Sequence, residues 1–265
     1  MCPTIFHIGG FELRAYAFFI ALGGLLAFFF LKTRERGMGL DRPDAFWTLV
    51  NAVMLSGFLG ARGASLLFRM PFGPGELRAA LFAVNSGFSV FGFIAGVLAG
   101  GYLFARAFGY GPARVLDYVC AALPLWQAFG RLGCFFRGCC YGLPAGGARW
   151  ALAFYNPDSA VPPELLGVPL HPAQLYEAAG SVLLFAALYA GLDRVEKGRL
   201  PRGSVCAAYC AGYGVIRFAC EFFRAGGARP WGLPLTAGQL LAAALALGGA
   251  GFFAAVRRRA KKSVE

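Results

Sequence analysis

Arginine, glutamate, tyrosine and histidine gather in three short segments of an otherwise apolar chain. These are GRLGCFFRGCCYG (Gly130 to Gly142), HPAQLYE (His171 to Glu177) and YGVIRFACEFFR (Tyr213 to Arg224). Arg131, Arg217 and a third arginine, Arg62, each lie in or at the end of an apolar stretch. Ionised side chains are expensive there and are generally placed for function. Planar guanidinium groups fork onto phosphate oxygens, so the arginines point to an anion site. In a membrane the phosphate at hand is a phospholipid head group. Glu221 stands four residues after Arg217, on the same helix face, and can pair with it. The plainer alternative is that the arginines pair with Glu177 and Glu221 only to lock helices together.

His171 is one of two histidines; the other is His7, near the N-terminus. Pro172 suits a first helical position and Gln174 the place of a capping-box partner. That leaves His171 just before a helix, where it is a poor N-cap type. It could serve as base or acid near neutral pH, donate to a head group, or fix a loop. Cys134, Cys139 and Cys140 share the first segment. Their C-x4-C-C pattern lacks the usual C-x-x-C spacing, and no second ligand cluster completes it. No metal or other cofactor is therefore expected, and a disulfide within this group is the preferred reading on an oxidising face. Cys120, Cys206, Cys210 and Cys220 read as small core residues.

These groups need a frame, and the composition says which. The chain has 265 residues, 58% hydrophobic and 14% charged, with a mean hydropathy of +0.60. Such apolar content makes an integral membrane protein. The apolar runs are of helix length and strand-like alternation is missing, which excludes an outer-membrane barrel. The net charge of +12 belongs to cytoplasmic loops and does not indicate a nucleic-acid partner. The expected fold is an all-α polytopic membrane protein, one domain over residues 1–265. About seven spans follow the apolar runs: Ala15 to Leu31, Ala45 to Phe68, Phe88 to Ala107, Val115 to Phe129, Ala173 to Leu192, Gly203 to Ala219 and Leu235 to Val256. Basic residues cluster after the first, third, fifth and seventh, which places the N-terminus outside and the C-terminus in the cytoplasm. The long connection between spans four and five, Gly130 to Pro172, then lies outside, with Trp150 to Tyr155 a candidate strand. Leu81 to Gly96 is Gly-broken and could begin as a re-entrant piece. The first apolar run has no basic leader or cleavage site and reads as a retained span.

At these segments the sequence resembles the prolipoprotein diacylglyceryl transferase family over nearly its whole length. LRAYAFFIALG, GAR (from Gly60), SGFSVFGFIAG, GRLG, HPAQLYE and YGVIRFACEFFR followed by GQLL match in order and spacing. The resemblance implies a bacterial plasma-membrane enzyme that moves the diacylglyceryl group of phosphatidylglycerol onto the lipobox cysteine of a preprolipoprotein. Glycerol 1-phosphate leaves and a thioether forms. It also implies roles. Arg131 and Arg217 would hold the phosphate, and Tyr16 and Tyr213 would line the head-group pocket. Glu177 and Glu221 would orient the arginines, Arg62 would join the head-group site, and Gly142 matches a family glycine. The chain departs from the pattern at three positions. The third-span histidine proposed to act on the thiol is Phe91 here. The asparagine of the GRxGN motif is Cys134, and a later acidic residue is Cys139. His171 is then the first candidate base and Tyr213 the second, with arginine-assisted ionisation as a further route. Alternatives are a phospholipid-using paralogue with a different acceptor or chemistry, and a non-catalytic lipid-binding membrane protein.

Overall fold

The computed structural model describes residues 3–9, 11–67, 88–227, 229 and 233–262. Seven long helices stand among them: α1 Ala15–Thr33, α2 Ala45–Leu67, α3 Val90–Ala107, α4 Pro112–Arg137, α5 Ala173–Glu196, α6 Ser204–Glu221 and α7 Ala237–Lys262. Six are long and apolar enough to cross a membrane. The exception is α6, whose hydropathy is lowered by Arg217, Glu221 and its tyrosines. The all-α polytopic architecture stands. Of the proposed re-entrant piece, Leu81 to Gly87 lie outside the described residues; from Val90 onward the chain is helix, capped by Ser89, which accepts from the Gly92 backbone N–H at 3.3 Å.

The helices fall into two compact units, Met1–Leu31 with Cys120–Glu265, and Lys32–Val119. In the second unit, α2 and α3 meet through small residues: Gly60 faces the Gly92 carbonyl, and Gly96 faces the Ser56 carbonyl, too closely for a side chain. Small residues at such crossings let backbones approach where lipid supplies no hydrophobic drive. The first unit uses the same device between α6 and α7, where Gly214 abuts Ala242 and Ala246.

Three features depart from the sequence reading. The N-terminus forms an antiparallel hairpin, β1 Thr4–Ile8 with β2 Phe11–Arg14, so His7 sits in a strand. α4 does not stop at Phe129 but runs on to Arg137, so Arg131 and Cys134 are helical and the connection to α5 starts at Gly138. Trp150 to Tyr155 contributes only one isolated bridge, Leu152 to Leu170, around a small buried cluster of Phe154, Val161 and Leu170.

Candidate active site

The first unit brings α4, α5 and α6 together around Glu177. Arg131 Nη2 lies 2.8 Å from Glu177 Oε1, and Arg217 Nη1 lies 3.4 Å from Glu177 Oε2. Tyr213 donates its hydroxyl to Glu177 Oε1 at 3.0 Å. One helical turn beyond Arg217, its Nη2 meets Glu221 Oε2 at 2.7 Å, the expected i,i+4 pair. Arg224 Nη1 approaches the same oxygen at 3.8 Å. Arg217 and Glu177 are each 3% exposed.

Three guanidinium groups therefore face two carboxylates, which leaves one positive charge in excess. Arg217 Nε–H is buried and has no hydrogen-bond partner among the described residues. A buried donor left open is costly unless a ligand completes it. Arg131, Arg217 and Arg224 line one narrow cleft with Glu177, Gln174, Cys140, Cys220 and Ala173. The helix-locking pairs are thus real, but they do not exhaust the positive charge.

Around the cleft the supporting groups are held in turn. Thr236 accepts from Gln239 N at 3.1 Å, and Gln239 Oε1 accepts from Thr236 N at 2.9 Å, a reciprocal capping box that opens α7. The Thr236 hydroxyl also donates to Glu221 Oε1 at 3.2 Å. Gln174 does not cap α5; its Nε2 donates to the Cys139 carbonyl at 2.9 Å and ties α5 to the end of α4.

The end of α4 brings the three cysteines together. Gly138, at φ +78°, closes the helix with Gly138 N to Phe135 O and Cys139 N to Cys134 O, both 3.1 Å. These are the two bonds of a Schellman turn. It folds Cys139 back over Cys134, five positions earlier. Cys140 follows at φ +59°, where residues with a side chain are uncommon. All three sulfur atoms lie within 4.8 Å of one another, and all three are free thiols, not the disulfide expected. Arg224 Nη2 donates to Cys140 Sγ at 3.1 Å. The hydrogen bond from Cys134, then that from Cys139, hold the Cys140 thiol far below its ordinary pKa, with Arg224 and Arg131 adding to the pull. Cys120, Cys206, Cys210 and Cys220 are buried.

Gly142 sits where three stretches of backbone cross. It bridges to Arg224, Leu143 N donates to Phe223 O at 2.8 Å and His171 N donates to Leu143 O at 2.9 Å. A Cβ on Gly142 would collide with the His171 carbonyl and stand 2.7 Å from Phe223 O. Gly142→Ala is expected to destabilise by about 1–3 kcal/mol through overpacking. The change would register as a lower melting temperature in detergent and faster proteolysis of the Gly138–Pro172 connection; an unchanged melt would contradict it.

The remaining predicted residues spread out. His171 Nδ1 pairs with the Tyr176 hydroxyl at 3.1 Å, and its ring lies 5.2 Å from that of Phe223. It is not among the residues that line the cleft. Tyr16, on α1, carries Arg137 over its ring at 5.5 Å, and Gly133 packs against its backbone. Arg62 and Phe91 belong to the Lys32–Val119 unit; Arg62 is buried beneath Phe88, 5.9 Å from that ring. Arg224, Thr236 and Gln239 went unassigned from sequence, although T-x-x-Q ahead of an apolar run is a readable cap signal.

The long apolar helices and the cluster of arginines among them define a multi-pass helical membrane protein with a buried, positively charged cleft. Residues 3–255 match the model of the prolipoprotein diacylglyceryl transferase family, and the chain belongs to that family. Similar proteins are the phosphatidylglycerol–prolipoprotein diacylglyceryl transferases of Azospirillum brasilense (32% identical, covering 97% of this chain and 95% of the relative) and Geobacter sulfurreducens (33%, 97% and 96%). That of Aromatoleum aromaticum is 34% identical over 84% of this chain and 81% of the relative.

Proposed function

We propose that this chain transfers the diacylglyceryl group of phosphatidylglycerol to the lipobox cysteine thiol of a preprolipoprotein. A thioether forms and glycerol 1-phosphate is released. The observation that carries this reading is the cleft itself: three arginines on two carboxylates, with Arg217 Nε–H still open. Expelling a phosphate requires preorganised cations where its negative charge develops. Arg131 and Arg217 take the phosphate, and Glu177 and Glu221 hold their forks in place. Tyr213 fixes Glu177, Gly142 lets the backbones cross, and Tyr16 contacts the head group. His171 serves as wall rather than base, since it is not among the residues that line the cleft and its Nδ1 is paired with Tyr176. The whole chain, residues 1–265, works as one domain.

The helix directions support an extracytoplasmic site in a bacterial plasma membrane. α7 starts beside Glu221, where Gly238 touches its carboxylate, and ends in Arg257–Lys262. At 1.5 Å per residue its basic end lies about 30 Å away, one hydrocarbon thickness. Basic residues favour the cytoplasmic face, so the cleft lies at the other.

The test is transfer of labelled diacylglycerol from phosphatidylglycerol vesicles to a lipobox peptide by the purified chain. Thioether-linked product is expected, and a folded, inserted chain that makes none would overturn the reading. His171→Ala is expected to change the rate less than about tenfold, because general-base loss typically costs 10²–10⁴. A drop in that larger range would return the base role to His171.

A further inference from the structure

Phe91 holds no proton, and His171 is not among the residues that line the cleft, yet an acceptor thiol near pKa 8.5 must become a thiolate to attack. We propose that Cys134, Cys139 and Cys140 form a three-thiolate site for a zinc ion, whose open fourth position binds the acceptor cysteine as thiolate. This rests on the transferase reading for its role, but the site itself stands on geometry.

The sulfurs lie within 4.8 Å of one another. Zinc–thiolate bonds of about 2.3 Å need sulfurs about 3.8 Å apart in a tetrahedron, a distance that small side-chain rotations reach. The cluster is built and not fluid. The Schellman turn fixes Cys139 over Cys134, Gln174 anchors the Cys139 carbonyl, and Cys140 is held in a left-handed backbone conformation. Three thiolates on a divalent ion leave one negative charge, and Arg224 is already hydrogen-bonded to Cys140 Sγ at 3.1 Å. Such an outer contact orients a ligand and steadies its charge. Cys140 also lines the arginine cleft, so a thiolate on the fourth position would sit beside the phosphate site. Three protein ligands with one open position are the pattern of a catalytic rather than a structural zinc.

The step balances without an oxidant. The acceptor thiol displaces water from zinc and releases its proton to solvent. Its sulfur then attacks the glycerol carbon that bears the phosphate, forming the C–S bond as the C–O bond breaks. The electron pair leaves with glycerol 1-phosphate, which Arg131 and Arg217 receive. A free thiol is only a few per cent ionised near pH 7, so the gain from metal binding is roughly 30-fold.

Cobalt(II) substitution tests the site directly. The purified full chain in detergent, under reducing conditions, is expected to bind cobalt stoichiometrically, with a thiolate-to-metal charge-transfer band and intense tetrahedral visible bands, and zinc should displace it. Cys134→Ser, Cys139→Ser and Cys140→Ser should each lose the spectrum while remaining monodisperse; Cys210→Ser should keep it. No charge-transfer band in the unmodified chain, or a band that survives all three substitutions, overturns the proposal. Adding a lipobox peptide should shift the bands, and the same peptide with Ser for Cys should not; an unshifted spectrum overturns the thiol-binding role. Removing metal should slow transfer roughly 30-fold. Full transfer by metal-free protein would sink the zinc proposal and leave the transferase reading standing. A peptide-sensitive cobalt spectrum without any transfer would uphold the site and remove that reading.

Discussion

Arg217→Ala is expected to lower diacylglyceryl transfer by about 10²- to 10³-fold, the usual cost of removing one preorganised donor from a site of developing charge. The chain should still fold and insert. Among the described residues Arg217 is the one guanidinium that touches both carboxylates, 3.4 Å from Glu177 and 2.7 Å from Glu221. Without it each acid keeps another partner, Arg131 for Glu177 and Arg224 for Glu221. The excess positive charge is cancelled, and with it goes the open Nε–H. Arg217→Lys sharpens the test. It restores charge but not the planar fork, so a purely electrostatic role predicts recovery and a bidentate one predicts little. Steady-state transfer in phosphatidylglycerol vesicles, with the melting temperature as a control for folding, reads both. A normal rate for Arg217→Ala would remove this residue from the phosphate site.

How far the sequence reaches depends on how local each contact is. Arg217 and Glu221 are four residues apart on one helix, so their pairing follows from helix geometry alone. Arg131, Glu177 and Arg217 come from three helices, and sequence could only nominate them as expensive charges in apolar runs. The cysteines fall between these cases. Their contact is local, yet C-x4-C-C matches no familiar metal spacing, because a helix cap brings position i+5 back over position i. The sign of that cap was Gly138, legible as a helix stop only once α4 is known to run past Phe129. The end of α4 was obscured because GRLGCFFR reads as polar punctuation, whereas its Arg131 is partnered on α5 and need not leave the helix. The N-terminal hairpin left no alternating signal, since the successive residues Ile5 and Phe6 of β1 are both apolar and both exposed.

Glu177→Gln is expected to destabilise the fold by about 3–5 kcal/mol, the cost of stranding a buried partner of an ion pair. The carboxylate receives Arg131 at 2.8 Å, Arg217 at 3.4 Å and the Tyr213 hydroxyl at 3.0 Å. The amide keeps the shape and can still accept from Tyr213, but it cannot balance two guanidinium groups at 3% exposure. Arg217 retains Glu221; Arg131 retains no carboxylate among the contacts described. The loss should therefore be centred on Arg131, and a double change makes that visible. Removing both members of a buried pair costs less than removing one, because no charge is left uncompensated. Glu177→Gln with Arg131→Gln should thus be more stable than Glu177→Gln alone, and the double change should fall short of the sum of the two single costs by a coupling of about 0.5–3 kcal/mol. Activity should stay low in the double variant, since it restores packing but not the phosphate clamp. Chemical denaturation in detergent measures the coupling. If the two substitutions simply add, Arg131 and Glu177 are not energetically joined, and the orientation role given to Glu177 fails. If stability and transfer recover together, Arg131 is a helix lock and the phosphate belongs to Arg217 and Arg224 alone.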